Sequence, residues 1–153
     1  MPIPEDFVTE SLYDPDAWFV HDLTEVGEGL IRGVTDTTQL GPIVGAQRER
    51  PGHPKHVPGA VMIQITATLG QLHAMYGLGL RANDGWVGFG THLKSAKFPN
   101  MGRIGPPMTV QATATRARRI RGTMFIEYDF LYEQEGAPIY VSTQTAAWFQ
   151  PKS

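Results

Sequence analysis

Pro58-Gly59 followed by AVMIQITATLGQLHAMYG, residues 60 to 77, is the stretch whose reading decides the fold. It contains no further proline, and Met62, Ile65, Leu69, Leu72 and Tyr76 recur at helical spacing, with Pro58 suited to a first turn. A second stripe, Thr66, Gly70, Ala74 and Gly77, is small and lets a neighbouring backbone approach closely. A third, Gln64, Thr68 and Gln71, is polar. A helix apolar on most sides is a buried helix, and polar groups on it need partners. The third stripe is therefore expected either to meet a ligand or to form a hydrogen-bonded strip between two helices at a dimer seam.

Upstream, Trp18 to Leu23 and Leu30 to Thr35 are short β-branched or aromatic runs, with Glu25 to Gly29 as the turn of a hairpin. Gly41 to Pro58 carries prolines at 42, 51, 54 and 58, which predicts a long loop with no regular element running through it. Long ordered loops in small domains tend to be functional. Residues 1–17, with Pro2, Pro4 and Pro15, read as an N-terminal arm or short cap, and 18–150 as a single domain.

Downstream the period changes to two. Gly85 to Phe98 is an extended candidate, Val110, Ala112 and Ala114 alternate with polar neighbours, and so do Met124, Ile126, Tyr128, Phe130 and Tyr132. Ile139 to Phe149 closes the set, and Arg121-Gly122 and Glu135-Gly136 supply tight turns. A hairpin, a loop, one long helix and four strands give an α+β chain in which a curved antiparallel sheet wraps a long central helix, the hot-dog arrangement. A small sheet leaves a free edge, so a homodimer, or a dimer of dimers, is expected.

Composition narrows the function classes. With 153 residues the chain suits one domain, and with no cysteine it has no thiolate nucleophile and no Cys-ligated metal. Lys+Arg 13 against Asp+Glu 15 gives a formal charge of -2, which argues against nucleic acid as a partner. No membrane-length apolar run or secretory signal pattern is present, so a cytoplasmic protein without a membrane partner is expected. His53 and His56 have the spacing H-x-x-H, but no third ligand follows at diagnostic spacing, so neither a metal nor another cofactor is expected.

The loop and helix, from Gly52-His53-Pro54-Lys55-His56-Val57-Pro58-Gly59 to Gln64, resemble a segment of the 3-hydroxyacyl-ACP dehydratases, which reads H-F-P-G-x-P-x-M-P-G before a helix with an acid five residues after the glycine. His56-Val57-Pro58-Gly59 also resembles the hot-dog domain of the A-factor biosynthesis family. Ala96-Lys97-Phe98 with Ile104-Gly105 and Met108 is similar to a dehydratase strand motif, and Phe19-Val20-His21-Asp22 to its opening. The resemblance implies the hot-dog fold over roughly residues 18 to 149 and a thioester of fatty-acid or polyketide type, carried by acyl carrier protein or coenzyme A. The first reading it implies is a dehydratase-like hydro-lyase. A thioesterase and a catalytically silent acyl-binding module are the alternatives.

In the dehydratases a loop His acts as base, a helix carboxylate protonates the leaving hydroxyl, and a helix-terminal N–H holds the thioester oxygen. Here the helix acid is replaced by Gln64, which cannot transfer a proton at neutral pH. His56 or His53 is the candidate base, Glu49 the group that would activate water for hydrolysis, and the Gly59 N–H the oxyanion donor at the positive end of the helix. Thr68 and Gln71 are candidate ligand contacts, and Phe89, Gly90 and Phe98 candidate tunnel walls. Arg116, Arg118, Arg119 and Arg121, placed at an expected hairpin tip, would dock a carrier protein or the phosphates of coenzyme A. His21, His73 and His92 are expected to be structural.

Overall fold

Alternating inward and outward side chains build six strands: β1 Asp22–Val26, β2 Leu30–Thr35, β3 Val87–Lys97, β4 Met108–Ile120, β5 Thr123–Gln134 and β6 Ala137–Phe149. The computed structural model describes residues 1–152. All pairings are antiparallel, in the order β1-β2-β4-β5-β6-β3, so β3 forms an edge beside β6. On β5 the inward set Ile126, Tyr128, Phe130 and Tyr132 is buried, while Phe125 and Asp129 face out. The period-two reading of the sequence is thereby realised.

Both tight turns fall where the sequence puts them. Arg121 (φ 52°) and Gly122 (φ 83°) join β4 to β5, and Glu135 (φ 48°) and Gly136 (φ 79°) join β5 to β6. Two successive positive φ values are the requirement of the two-residue turn that matches strand twist.

The concave face of the sheet holds the helix α3, Gly59–Leu72, which continues as a wider π turn over His73–Gly77. Its stripe Met62, Ile65, Leu69 and Leu72 is almost wholly buried, and Tyr132 Oη donates to the Met62 carbonyl at 2.9 Å. The small stripe serves the expected purpose at Gly77, where the Gly27 carbonyl comes so close that a Cβ would collide with it. The β1–β2 turn therefore seats directly on the end of the helix. Gly70, on the same stripe, instead faces open space.

Three expectations are corrected. The first strand begins at Asp22 and not at Trp18, because Pro15–Ala17 forms a 3-10 turn and Phe19 takes a positive φ of 57°, which breaks the extended run. The loop from Gly41 contains one helical turn, α2, Pro42–Gly45, with its proline at the tolerated first position. Arg116, Arg118 and Arg119 lie within β4, and Arg121 alone reaches the hairpin tip.

The N-terminal residues pack on the helix. In α1, Phe7–Glu10, the Phe7 ring is fully buried, 4.8 Å from the Trp18 ring and 6.2 Å from Tyr76. Arg81 ion-pairs with Asp6 and with the buried Glu10, and Tyr76 Oη donates to Asp6 Oδ1 at 2.6 Å. The hydrogen bond from Tyr76, then that from Arg81, holds the Asp6 carboxyl below its ordinary range, and Arg81 does the same for Glu10. Among the described residues no helix is long and apolar enough to cross a membrane.

Candidate functional site

A cleft of about 280 Å³ opens between one flank of α3 and strands β3, β5 and β6. Thr66, Ala67 and Gly70 form its helix side, Gln144, Ala146 and Trp148 its sheet side, and Gly88, Phe89 and Gly90 its outer wall. Gly90 faces open space there, whereas a Cβ on Gly88 would collide with the Trp148 indole, so Gly88 is what lets that ring lie against β3. No Asp, Glu, His, Lys or Arg lines it. The sequence reading put Phe89 and Gly90 in a tunnel wall, and both border this cleft.

The polar stripe of α3 has a different partner from either one expected. Gln64 Nε2 donates to the Ala17 carbonyl at 3.3 Å, Thr68 Oγ1 donates to the Trp18 carbonyl at 2.8 Å, and Gln71 Oε1 accepts from Leu12 N at 2.9 Å and Ser11 Oγ at 3.1 Å. Residues 11–18 thus run as a strap along the helix. They satisfy groups that would otherwise be buried without partners. Thr68 is consequently inaccessible, and Gln71 reaches the cleft only with its acceptor oxygen already engaged. The same strap supplies Leu12 and Tyr13 to the rim of the cleft.

A second depression lies at the amino end of α3, where His56, Gly59, Met62 and Phe98 surround about 430 Å³ of open space. The helix's own bonds begin with Val61 N to the Pro58 carbonyl, so the Gly59 and Ala60 N–H groups have no partner among the described residues. Phe98 packs so that a Cβ on Gly59 would stand 3.1 Å from its ring, and its other neighbour is Tyr140 at 5.3 Å. Phe98 therefore walls this depression and not the cleft.

His56 is held there by its backbone. Its N–H donates to Gln47 Oε1 at 3.2 Å and its carbonyl accepts from Gln47 Nε2 at 2.6 Å. Its Nδ1 lies 3.0 Å from the Pro54 carbonyl, which can only accept, so Nδ1 carries the proton and Nε2 presents a lone pair. His53 stands with its ring 5.0 Å from His56, but it is exposed and lines neither space. Glu49 is exposed and likewise lines neither.

The four arginines divide. Arg116 and Arg118 face the outer side of the sheet in a groove with His92, Lys94 and Phe125. Lys94 ion-pairs with Glu127 there, which holds the Glu127 carboxyl below its ordinary range. Arg119 points to the other side, its guanidinium 5.4 Å from the Trp86 ring centre, and Arg121 forms the turn. Two of the four therefore share one surface.

Of the three histidines read as structural, two are enclosed in bonds. His21 Nδ1 accepts from Asp36 N at 2.9 Å, leaving Nε2 to donate to the Gln39 carbonyl at 3.2 Å. His73 Nε2 donates to the Glu28 carbonyl at 2.7 Å, so its Nδ1 must accept from Tyr128 Oη at 2.6 Å. Burial pushes the His73 imidazole below its ordinary range.

The sequence reading missed Gln144, the one long polar side chain that β6 turns toward the helix. A signal was present. Gln144 shares the parity of Tyr140, Ser142 and Trp148, a set whose other members are inward-facing.

No protein-family model matches the chain, and no curated protein matches it significantly. Solved structures do. A dehydratase heterocomplex, ApeI:P from Xenorhabdus doucetiae, aligns over 92% of this chain and 88% of its own at 10% identity and a TM-score of 0.66. A thioesterase, HI1161 from Haemophilus influenzae, aligns over 91% and 85% at 18% identity and a TM-score of 0.61. A hypothetical thioesterase with coenzyme A from Streptococcus pneumoniae TIGR4 aligns over 86% and 88% at 15% identity and a TM-score of 0.55. At such identities the likeness is one of backbone path, and it agrees with a helix held in six antiparallel strands whose third member closes on the sixth. The chain has the hot-dog fold.

Proposed function

We propose that the chain hydrolyses an acyl thioester, with the thioester at the amino end of α3 and the acyl group running along the helix into the cleft. The observation that carries this reading is the tautomer of His56: its Nδ1–H is tied to Pro54, so Nε2 keeps its lone pair, and His56 lines the same depression as Gly59, whose N–H, like that of Ala60, has no partner among the described residues. Those two N–H groups would hold the carbonyl oxygen as it gains charge. His56 takes a proton from water, the water oxygen adds to the carbonyl carbon, and the C–S bond breaks as the same imidazole returns the proton to the departing thiolate. One base suffices because both transfers occur at one carbon. Gly59, Ile63, Thr66, Ala67 and Gly70 share the flank of the helix that links the two spaces, which supports a continuous path for the ligand.

Dehydration of a 3-hydroxyacyl-ACP or 3-hydroxyacyl-CoA is the second reading, favoured by the loop motif and by the likeness to a dehydratase heterocomplex. It requires proton transfer at two carbons. The helix position that would supply the acid is Gln64, bound to Ala17, and neither space is lined by a carboxylate. The basic pair Arg116 and Arg118 suits the phosphates of coenzyme A or an acidic carrier protein. The edge strand β3, with Phe89 and Leu93 exposed on it, suits pairing with a second copy.

Incubation with simple and 3-hydroxy acyl-CoA substrates tests this directly. Thiol release that falls at least about 100-fold in His56→Ala is expected. Enoyl absorbance from the hydroxy substrate without thiol release would establish the dehydratase instead, and acyl-CoA binding without turnover of either substrate would leave an acyl-binding module.

A further inference from the structure

Gly70 stands in the interior of α3, where a glycine destabilises a helix relative to alanine. The usual reasons for a glycine are missing. Its φ is not positive, and a Cβ built on it would meet nothing within 4 Å. Gly77, by contrast, is required by the close approach of the Gly27 carbonyl. What a side chain at position 70 would occupy is the cleft of about 280 Å³ that Gly70 lines. Gly90 lines it from β3 and also faces open space, but it borders the bulge in that strand, which is reason enough for a glycine.

The polar groups around the cleft are already engaged. Thr66 Oγ1 donates to the Ile63 carbonyl at 2.6 Å and lies 3.3 Å from Gln144 Oε1. Gln144 Nε2 donates to Tyr140 Oη and to Ser142 Oγ, both at 3.2 Å, and Tyr128 Oη is bonded to His73. Among the described residues no buried side-chain nitrogen or oxygen lacks a partner, and no charged residue lines the cleft. What the cleft offers a ligand is therefore apolar contact. The helix sets its distance from the thioester: Thr66 lies seven residues beyond Gly59 and Gly70 eleven, about 10 Å and about 16 Å along the axis. An extended chain advances about 1.2 Å per bond, so an acyl group held at Gly59 enters the cleft after about eight bonds and passes Gly70 after about fourteen. Leu12 and Tyr13, large apolar side chains left exposed at the rim, stand at the level of Gln71, to which Leu12 N is bonded, and bound the far end.

We infer that the substrate carries a long acyl chain of about twelve to sixteen carbons, uncharged at its far end, and that Gly70 is a specificity residue whose missing side chain leaves room for the last carbons. A shorter chain stops before the cleft and leaves it to water. A terminal carboxylate or ammonium would enter a space with no charged or free polar group to receive it. The inference rests on the reading of the two spaces as one acyl-thioester site.

Non-hydrolysable S-alkyl-CoA thioethers, kept below the concentrations at which they form micelles, separate the two claims by calorimetry. Each buried methylene is worth about fourfold in affinity, so the wild type should bind S-tetradecyl-CoA at least about 100-fold more tightly than S-octyl-CoA. Gly70→Phe, whose ring fills the cleft, should cut that ratio to below about fivefold. Gly70→Leu carries the same test should the phenylalanine variant fail to fold. Gly70→Ala should raise Tm and keep the preference for the long chain, because the added methyl group meets open space. A tetradecyl thioether ending in a carboxylate should bind at least about tenfold more weakly than S-tetradecyl-CoA. A wild-type ratio near one, a ratio that survives the bulky substitution, a lowered Tm in Gly70→Ala, or equal binding of the carboxylate-ended probe overturns the inference. Failure of the wild type to bind any of these thioethers overturns the acyl-thioester reading itself.

Discussion

Gln71 on the central helix accepts the backbone N–H of Leu12 at 2.9 Å, across 59 residues of sequence. That bond, with those of Thr68 to Trp18 and Gln64 to Ala17, turns a polar helix face into a seat for the chain's own strap. Gln71→Leu removes the acceptor and leaves the Leu12 N–H and Ser11 hydroxyl without it. The expected cost is about 1–3 kcal/mol in urea unfolding, with faster amide hydrogen exchange confined to residues 9 to 18. Exchange that stays slow there would mean that the strap is held by other contacts.

Arg81 is the clasp at the other end of this segment, and Glu10 beneath it is buried. Arg81→Leu is expected to destabilise the fold by about 1.5–3 kcal/mol, the usual worth of charge-assisted bonds. Both carboxyl groups have folded-state pKa values below their ordinary ones, so their contribution is present above about pH 4 and is lost as the pH falls through the lowered values. The wild type and the variant should therefore converge in stability under acid, which parallel urea titrations at pH 7 and below pH 4 would check.

His73 works in the opposite charge state. Its neutral ring bridges Glu28 and Tyr128, and protonation would place two hydrogens between Nδ1 and the tyrosine oxygen. Because burial depresses its pKa, the unfolded chain binds the proton more readily, and stability must drop as pH falls below about 6.5. One proton allows a slope of at most about 1.4 kcal/mol per pH unit. His73→Gln should flatten that slope in unfolding curves taken between pH 7 and 5.

Gly77 admits the Gly27 carbonyl at van der Waals range, and a methyl group there has nowhere to go. Gly77→Ala is expected to lose about 1–3 kcal/mol despite alanine's better helix propensity, since the β1–β2 turn must back away. A rise in Tm would show that the turn relaxes freely.

The pair Arg116 and Arg118 can be reversed without touching the core, since both are exposed. Arg116→Glu with Arg118→Glu should weaken coenzyme A thioether binding about tenfold and remove most of its salt dependence, at little cost in stability. Unchanged affinity would release the outer groove from any part in docking.

What the sequence made legible was whatever repeats locally. The apolar spacing from Met62 to Leu72 and the alternation from Met124 to Tyr132 fix a buried helix and a half-buried strand, and Arg121-Gly122 and Glu135-Gly136 announce their turns. The strap was hidden because its bonds run from main-chain groups of residues 11–18 to side chains about fifty to sixty positions away, and nothing in a main-chain amide advertises its acceptor. The Trp18–Val20 run looked like strand because its composition is strand-like, yet Phe19 in a left-handed conformation ends any extension there. Gln144 sat in plain alternation, but its contacts with Thr66, Tyr140 and Ser142 are disclosed only by the spatial arrangement.

The pairing of β3 with β6 has a consequence for how the molecule is made. A chain emerging from its amino end presents β3 long before β6 exists, so this strand waits while β4 and β5 zip together behind it. Its docking is the closing act of assembly, and the same event raises the last wall of the cleft. A nascent polypeptide halted short of the final strand would already have most of its sheet, yet no compartment in which to receive a ligand.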